Sequence, residues 1–215
     1  MMKNNCMMKK TISFSNSLKI DKGHILIQYK SGIIKKLAKY EKLCDRAEGA
    51  MHVLFCENNS SGWSQREDIN SSTKTKESLL RCSLAEFVGM EDTLSFYFDK
   101  DKMYHIYDSK DPVLHFVREL RNFEIHIKES TIRNEKRDYV LILGDANKNV
   151  TIDIDILDIN FESLKLLKNM KSYDNHEIVK MKECFDNLQN KWGYQEVLIC
   201  AYEKYCNELI NYYGM

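Results

Sequence analysis

The chain has 215 residues, of which 43% are hydrophobic and 30% are charged, a composition typical of a folded globular domain and not of a disordered chain. Basic and acidic residues both number 32, so bulk charge attracts neither nucleic acid nor an anionic membrane, and any nucleic-acid site must be local. The length predicts one domain with a core large enough to need no disulfide or metal.

The seven cysteines form no CxxC pair, and no histidine is spaced as in a zinc knuckle. They are therefore predicted to be free thiols in a reducing compartment. The N-terminus is basic but lacks the apolar run of a signal peptide, and no segment approaches the roughly 18 apolar residues of a membrane span. The sequence thus predicts a cytoplasmic protein that contacts no membrane and uses no metal or other cofactor.

The first part of the chain predicts a flexible lead, a long helix and a long loop. Residues 1–16 are rich in Met, Lys and Asn without periodicity, so we expect them to be flexible. Over residues 17–56 apolar side chains recur at helical spacing, which predicts a long helix with a candidate break near Gly32. Residues 57–76 are polar and nearly free of aliphatic side chains, which predicts a loop. Its Trp63 either stacks on a base or packs back on its own domain.

The polar face of this first helix carries a basic stripe. Its members are Lys35, Lys36, Lys39, Lys42 and Arg46. A solvated helix face is one interpretation of such a stripe, and a surface that follows RNA phosphates is the other. On the second interpretation the RNA-binding residues are Lys35, Lys39, Lys42 and Arg46.

Most of the remaining chain also predicts helices. The expected ranges are residues 76–98, 112–129, 161–171 and 175–212, the last with a candidate break at Gly193. The pair Asp111-Pro112 is typical of a helix start, because a carboxylate caps the first turn and proline suits its first position.

Residues 139–156 change to a period of two on both sides of a polar turn at residues 144–149, which predicts a β-hairpin. Asp153 and Asp155 alternate with isoleucines in the second strand and are predicted to face solvent. A metal-dependent hydrolase built on these two acids is a less favoured alternative. The predicted fold class is mainly all-α, a single domain over residues 17–215 with four or five helices and the inserted hairpin.

The third predicted helix separates into an apolar face and a polar face. On a helical wheel its apolar side chains fall within one arc, which is expected to face the core. The opposite side collects Arg118, Asn122 and His126 at intervals of four residues, so these side chains can reach one another. Arg121 lies about 140° from His126 on the wheel. The two converge only if the arginine side chain sweeps back, the helix is distorted, or a second subunit completes the site.

This set of side chains suits phosphodiester cleavage. An imidazole can take or give the proton of an RNA 2′-hydroxyl near neutral pH. A permanently charged guanidinium can stabilise the phosphorane oxygens. Such a reaction needs no metal.

The segment LRNFEIH, residues 120–126, resembles the signature of the HEPN superfamily, in which an arginine and a polar residue are followed, after three variable positions, by histidine. Members of this family are small helical bundles, and many are metal-independent ribonucleases. The order of the predicted helices is similar to the family's bundle over roughly residues 17–212, with the hairpin as an insertion. The resemblance implies that Arg121 and His126 are catalytic and that Asn122 orients the imidazole or contacts substrate.

The resemblance also implies supporting residues and a dimer. An acid on the preceding helix assists in some members, and Glu91 or Glu86 matches that place weakly. Arg118 and Lys128 are further candidate supporting residues. Family ribonucleases typically dimerise so that two motifs face one another across a cleft. Family toxins that are silenced by tyrosine modification carry a tyrosine where this chain has Lys128, so a nucleotidyltransferase antitoxin is disfavoured.

These observations predict a homodimeric, metal-independent endoribonuclease, a toxin or antiviral-defence effector that cuts RNA to 2′,3′-cyclic phosphate and 5′-hydroxyl ends. Its expected partners are RNA, a second copy of the chain, and an antitoxin or regulatory protein. The alternative from a different class is a non-catalytic helical module that binds RNA or a partner protein.

A purely structural interpretation also stays open, in which the polar residues of the third helix are only its solvated face. Arg118, Arg121 and Glu119 would then be exposed to solvent. Glu124 would pair with Lys128, and His126 would have no functional role.

Overall fold

The structure, a computed structural model, describes residues 10–20, 31–56, 72–127, 129–143 and 146–215. These residues form a mainly helical fold with one two-stranded antiparallel hairpin, so the predicted fold class is confirmed. In chain order the elements are α1 (Ser31–Leu37), α2 (Glu41–Cys56), α3 (Ser72–Leu94), α4 (Pro112–His126), β1 (Ser130–Leu143), β2 (Ala146–Ile159), α5 (Phe161–Lys165), α6 (Asn175–Trp192) and α7 (Tyr194–Tyr213).

Helices α4 and α7 lie at the centre of the bundle. Helix α4 packs on α3, α6 and α7, and α7 also contacts α1, α2 and β2. Tyr202 and Tyr205 of α7 are fully buried, and buried tyrosines need partners for their hydroxyls. The Tyr202 hydroxyl lies 2.9 Å from the Ser83 hydroxyl, and the Tyr205 hydroxyl donates to the Tyr104 carbonyl at 2.9 Å. The core is therefore stabilised by the hydrogen bonds of buried tyrosine hydroxyls as well as by apolar contacts.

Helix α4 begins where the sequence predicts. The Asp111 side chain accepts a 2.7 Å hydrogen bond from the Val113 backbone N–H and pairs with Lys204 Nζ at 2.5 Å, and proline follows in the first turn. The helix ends at His126, slightly before the expected end near residue 129. The side chains expected in the core are Val113, Phe116, Val117, Leu120 and Phe123, which are fully buried, and Ile127, which is partly buried.

The hairpin is longer than the sequence predicts. Strands β1 and β2 have 14 residues each and pair along their full length, whereas strands were expected only within residues 139–156. The predicted turn at residues 144–149 is also too long, because β2 begins at Ala146. In the first half of β1 charged residues follow one another, so the alternation of apolar and polar side chains that indicates a strand is not visible in the sequence. These charged residues pair across the strands instead, as Arg133 does with Asp158 at 2.7 Å.

The base of the hairpin is bound to α6 and α7. The buried Gln189 side chain accepts a hydrogen bond from the Leu157 backbone N–H at 2.9 Å and donates to the Leu157 carbonyl at 3.0 Å. It thus takes the place of a neighbouring strand.

The prediction that Asp155 faces solvent is wrong. This carboxylate is buried, with 7% exposure, because its end of β2 is covered on both faces. It pairs with Lys76 and accepts hydrogen bonds from Asn134 at 3.2 Å and from Gln195 at 3.1 Å. Asp153 is exposed as expected, and the described residues contain no group of acids, histidines and cysteines that could hold a metal ion.

The N-terminal part of the chain differs from the prediction in two ways. Residues 10–20 lie against the bundle, where the Ser13 backbone N–H donates to the Lys110 carbonyl at 2.8 Å and Leu18 is buried. The described part of the predicted flexible lead is therefore packed. Where one long helix was expected, α1 and α2 are separated at residues 38–40, after the candidate break at Gly32.

The remaining boundaries follow the sequence more closely. Helix α3 spans residues 72–94 and so takes the last five residues of the predicted loop, whose other residues, including Trp63, lie outside the described residues. The break at Gly193 between α6 and α7 is confirmed, with φ at +84°.

Five cysteines are free thiols in the structure, namely Cys44, Cys82, Cys184, Cys200 and Cys206. The side chains of Cys6 and Cys56 lie outside the described residues. No helix in the described part of the chain combines the length and apolar character that crossing a membrane requires.

Replacing Gly193 by alanine should destabilise the fold. An L-residue at φ +84° is strained, and the added Cβ would lie 3.4 Å from Ile154 Cβ, so we expect a loss of about 1–3 kcal/mol in the free energy of unfolding. Urea denaturation followed by circular dichroism measures this loss. Gly214→Ala is the control, because Gly214 has open space around it and its φ of +66° and ψ of +38° are more accessible to an L-residue than the φ of +84° and ψ of +154° at Gly193. A loss at Gly193 no larger than that at Gly214 would contradict the strain argument.

The carboxyl of Glu196 should make stability depend on pH. Burial raises the pKa of Glu196 to about 7 from an ordinary 4.5, so the folded state binds this proton more tightly than the unfolded state. Ionisation therefore destabilises the fold as pH rises from about 4.5 through 7. Glu196→Gln should be more stable than wild type at pH 8, by roughly 1–2 kcal/mol after solvent screening, and equal at pH 4. Glu183→Gln, at an exposed position of α6, should show no such difference.

Candidate functional site

On the polar side of α4, Arg121 contacts the row of side chains that contains Asn122 and His126. Arg121 Nη1 donates a 3.2 Å hydrogen bond to Asn122 Oδ1, which bends the guanidinium toward the row of Arg118, Asn122 and His126. Asn122 and His126 are one turn apart on a continuous α-helix. The guanidinium therefore reaches Asn122 within one chain, while the approach of Arg121 to His126 stays a prediction.

Asn122 is held in turn by Glu119. Its Nδ2 donates to Glu119 Oε2 at 3.2 Å, and because a guanidinium can only donate, the Oδ1 atom must face Arg121. Glu119 is fully buried, accepts a hydrogen bond from the Tyr107 hydroxyl, and lies 3.9 Å from Lys10 Nζ. Burial raises the pKa of Glu119.

Tyr107 and Lys10 lie beside Glu119, at one side of the site. Lys10 Nζ lies 3.3 Å from the centre of the Tyr107 ring, a cation–π contact. The Tyr107 hydroxyl also accepts a 3.2 Å hydrogen bond from Asn169 Nδ2. Burial lowers the pKa of Lys10 to about 8, although the nearby Glu119 acts in the opposite direction. The N-terminal segment thus places an ammonium beside the motif helix.

Arg118 is anchored to α3. Its Nε donates to Glu91 Oε2 at 2.9 Å, while Glu91 Oε1 accepts from the Ile106 backbone N–H at 2.7 Å and lies 3.7 Å from His105 Nδ1. Burial alone would raise the pKa of Glu91, but His105, Arg118 and the Ile106 N–H together lower it. The hydrogen bond to Glu91 raises the pKa of His105.

The two acids proposed as supporting residues have different positions. Glu91 contacts the motif helix, but through Arg118 and not through Arg121. Glu86 lies on another side of α3, where it pairs with Arg46 at 2.7 Å. Glu91 is therefore the acid that belongs to this site.

His115, also on α4, has a structural role. Its Nε2 lies 2.7 Å from the Ser109 carbonyl, which can only accept, so Nε2 carries the proton and Nδ1 accepts from the Tyr173 hydroxyl at 2.7 Å. Burial lowers the pKa of His115 to about 4. Both ring nitrogens are engaged in a neutral imidazole.

His126 has the opposite environment. It is exposed at the last residue of α4 and, within the described part of the chain, it makes no hydrogen bond or ion pair. Lys128, the other candidate near the end of this helix, lies outside the described residues. Among the histidines of α4, His126 is the one whose ring nitrogens are open to a ligand.

The solvated-face interpretation is wrong for two of its residues. Glu119 is 0% exposed and Glu124 is 1% exposed, because the segments around α4 cover its polar side as well. Glu124 accepts a hydrogen bond from the Ser130 hydroxyl, and burial raises its pKa. Arg121 and Asn122 are half-buried.

The basic stripe is exposed, but three of its members have intramolecular partners. Lys39 Nζ lies 5.6 Å from the centre of the Tyr40 ring. Lys42 Nζ lies 3.4 Å from the centre of the Phe96 ring, and Arg46 pairs with Glu86. These side chains line an open cavity of about 410 Å³ between α2 and α3, together with Asp45 and Thr93. Lys35 and Lys39 of the same stripe are exposed.

Sequence reasoning missed most of the residues that surround the motif. Lys10, His105, Tyr107 and Asn169 come from segments for which no function was predicted. The run of aromatic and polar residues at 103–107, directly before the start of α4, is the signal that could have identified two of them.

In comparisons with protein-family models, with curated proteins and with solved structures, nothing matches this chain. The relation to the HEPN superfamily therefore stays a resemblance, carried by the motif of residues 121–126 and the helix order.

The pairing between Glu91 and His105 is measurable. Replacing Glu91 by glutamine removes the negative charge that favours the imidazolium, so the pKa of His105 should fall toward its ordinary value of 6.5. NMR titration of the histidine ring protons measures the change, and Glu183→Gln, at an exposed position of α6, is the control and should leave the pKa of His105 unchanged. An unchanged His105 titration would show that this contact is absent in solution.

Proposed function

We propose that the chain is a metal-independent endoribonuclease that acts as a homodimer, with Arg121, Asn122 and His126 at its active site. One observation carries the proposal: the Arg121 guanidinium is bound to Asn122, on the row of α4 that ends at the exposed imidazole of His126. A cation for the phosphate and a proton acceptor for the 2′-hydroxyl are thereby available on one helix face.

In the proposed reaction His126 takes the proton of an RNA 2′-hydroxyl. The 2′-oxygen attacks the adjacent phosphorus, the bond from phosphorus to the 5′-oxygen breaks, and the leaving oxygen receives a proton. The products are a 2′,3′-cyclic phosphate and a 5′-hydroxyl. Arg121 stabilises the charge that develops on the phosphorane oxygens, and Asn122 keeps the guanidinium in place.

A second copy of the chain supplies what one copy lacks. The reaction needs a base for the 2′-hydroxyl and an acid for the leaving oxygen, while α4 presents one open imidazole. A homodimer with two facing motifs, as the HEPN resemblance implies, brings a second His126 and a second Arg121 to the cleft. The partner's imidazole then protonates the leaving oxygen.

The biological role we propose is that of a toxin or antiviral-defence effector. An enzyme that cuts cellular RNA has to be restrained, so an antitoxin or regulatory protein is an expected partner. Lys35 and Lys39, exposed on the basic stripe, are proposed to contact the RNA backbone, with Lys42 and Arg46 joining them when their present partners are displaced.

A non-catalytic module that binds RNA or a protein is the second candidate. It is favoured by the anchoring of Arg118 to Glu91 and of Asn122 to Glu119, since these contacts give the polar residues of α4 a structural use without chemistry. This candidate predicts RNA or protein binding with no turnover.

Cleavage of a labelled structured RNA in EDTA tests the first proposal. His126→Ala and Arg121→Ala should each lower the cleavage rate by about 10²–10⁴-fold, because each removes a group that acts on the transition state. His176→Ala is the matched control and should cleave like wild type. Circular dichroism and light scattering must show that all four proteins fold and share one oligomeric state.

The outcomes separate the candidates. Full cleavage activity in His126→Ala would contradict the proposed mechanism. Wild-type protein that binds several RNAs but cleaves none would favour the non-catalytic module, and activity abolished by EDTA would require a metal mechanism instead.

A further inference from the structure

Two guanidinium nitrogens on the polar side of α4 are buried without an acceptor in the described part of the chain. They are Arg118 Nη1 and Arg121 Nε. A buried donor that lacks a partner destabilises a fold, and such atoms are uncommon in folded proteins. Because both side chains are partly exposed, Arg118 at 18%, a small shift of either guanidinium brings these donors within reach of a ligand that supplies the acceptors.

Both arginines are held so that these donors stay in place. The Arg118 side chain is bound through Nε to Glu91 and lies 5.4 Å from the centre of the Tyr107 ring. The Arg121 side chain is bound through Nη1 to Asn122. Residues three apart on a helix have Cβ atoms about 5–6 Å from each other, so Arg118 and Arg121 are neighbouring positions on one ridge of α4.

The local charge favours an anion. Lys10, Arg118 and Arg121 contribute three cations, whereas Glu91 and Glu119 contribute two carboxylates, which leaves an excess of one positive charge. Arginine pairs also match the planar, multidentate geometry of phosphate oxygens.

We propose that Arg118 and Arg121 form a subsite for a backbone phosphate of the RNA, next to the scissile phosphate and not identical with it. Arg118 and His126 are eight residues apart, about 12 Å along the helix axis, which is too far for both to act on one phosphate. In this subsite Arg118 is a substrate-binding residue, and Arg121 lies between two consecutive phosphates of the RNA. This inference rests on the proposed function, because the ligand is RNA.

Two substrates of different length test the subsite. A dinucleoside monophosphate has only the scissile phosphate, so any loss of kcat/KM that Arg118→Gln shows on it measures the indirect effect of breaking the Arg118–Glu91 pair. A single-stranded octaribonucleotide fills the subsite, so Arg118→Gln should raise its KM about tenfold or more with little change in kcat. Equal KM values for the octamer would overturn the proposal, as would an equal loss with both substrates.

Binding measurements make the test independent of cleavage. The probe is a fluorescent octamer with 2′-deoxy sugars, which cannot form the cyclic phosphate, titrated at several salt concentrations. Arg118→Gln should weaken binding about tenfold or more and reduce the slope of log K against log salt by about 0.7, the value for one phosphate of a single strand. Arg133→Gln, at an exposed hairpin residue paired with Asp158, is the control and should bind like wild type.

A second variant covers the chance that Arg118→Gln does not fold, since it leaves Glu91 buried without its cation. The double change Glu91→Gln with Arg118→Gln removes both charges together and should fold with the same binding defect. Wild-type binding by the folded double variant would overturn the subsite.

The failures of the two proposals are distinguishable. RNA binding that depends on Arg118 without any cleavage would leave the subsite standing and remove the ribonuclease. Cleavage of the octamer that does not depend on Arg118 would contradict the subsite and leave the proposed ribonuclease standing.

Discussion

Helix α4 is enclosed by other elements around most of its circumference, and this enclosure decides how its polar side chains are used. Glu119 and Glu124 are almost completely buried, so each must find a hydrogen-bond donor inside the protein. Tyr107 donates to Glu119 and Ser130 donates to Glu124. The polar side of α4 is thus largely an internal surface of anchored groups, Arg118, Arg121 and Asn122 are partly exposed, and His126 at the end of the helix is exposed.

The groups that complete this surface come from segments far apart in the chain. Lys10 precedes the first helix, Glu91 belongs to α3, Tyr107 lies in the turn before α4, and Asn169 follows α5. Each of them contacts another member, so the cluster behaves as one network in which the effects of two substitutions need not add. Stability and the geometry around Arg118 are therefore coupled.

What could be predicted from the sequence is what depends on short distances along the chain. The start of α4 was predictable because Asp111 caps the helix that it precedes, and the motif row follows from helical spacing alone. The burial of Asp155 was not, because its partner Lys76 is 79 residues away. The same applies to the site, since a local pattern does not reveal that the Tyr107 hydroxyl reaches the Glu119 carboxylate. Sequence periodicity identified the helix, but not the segments that cover it.

The anchoring of Arg118 and Arg121 also has a consequence for the entropy of association. A free arginine side chain carries about 2 kcal/mol of rotamer entropy, and a flexible surface arginine loses this entropy when it binds a ligand. In this chain Glu91 and Asn122 restrict both side chains when the protein folds. An anion that arrives later meets guanidinium groups already arranged, so little further side-chain order is lost and more of the contact energy appears as affinity.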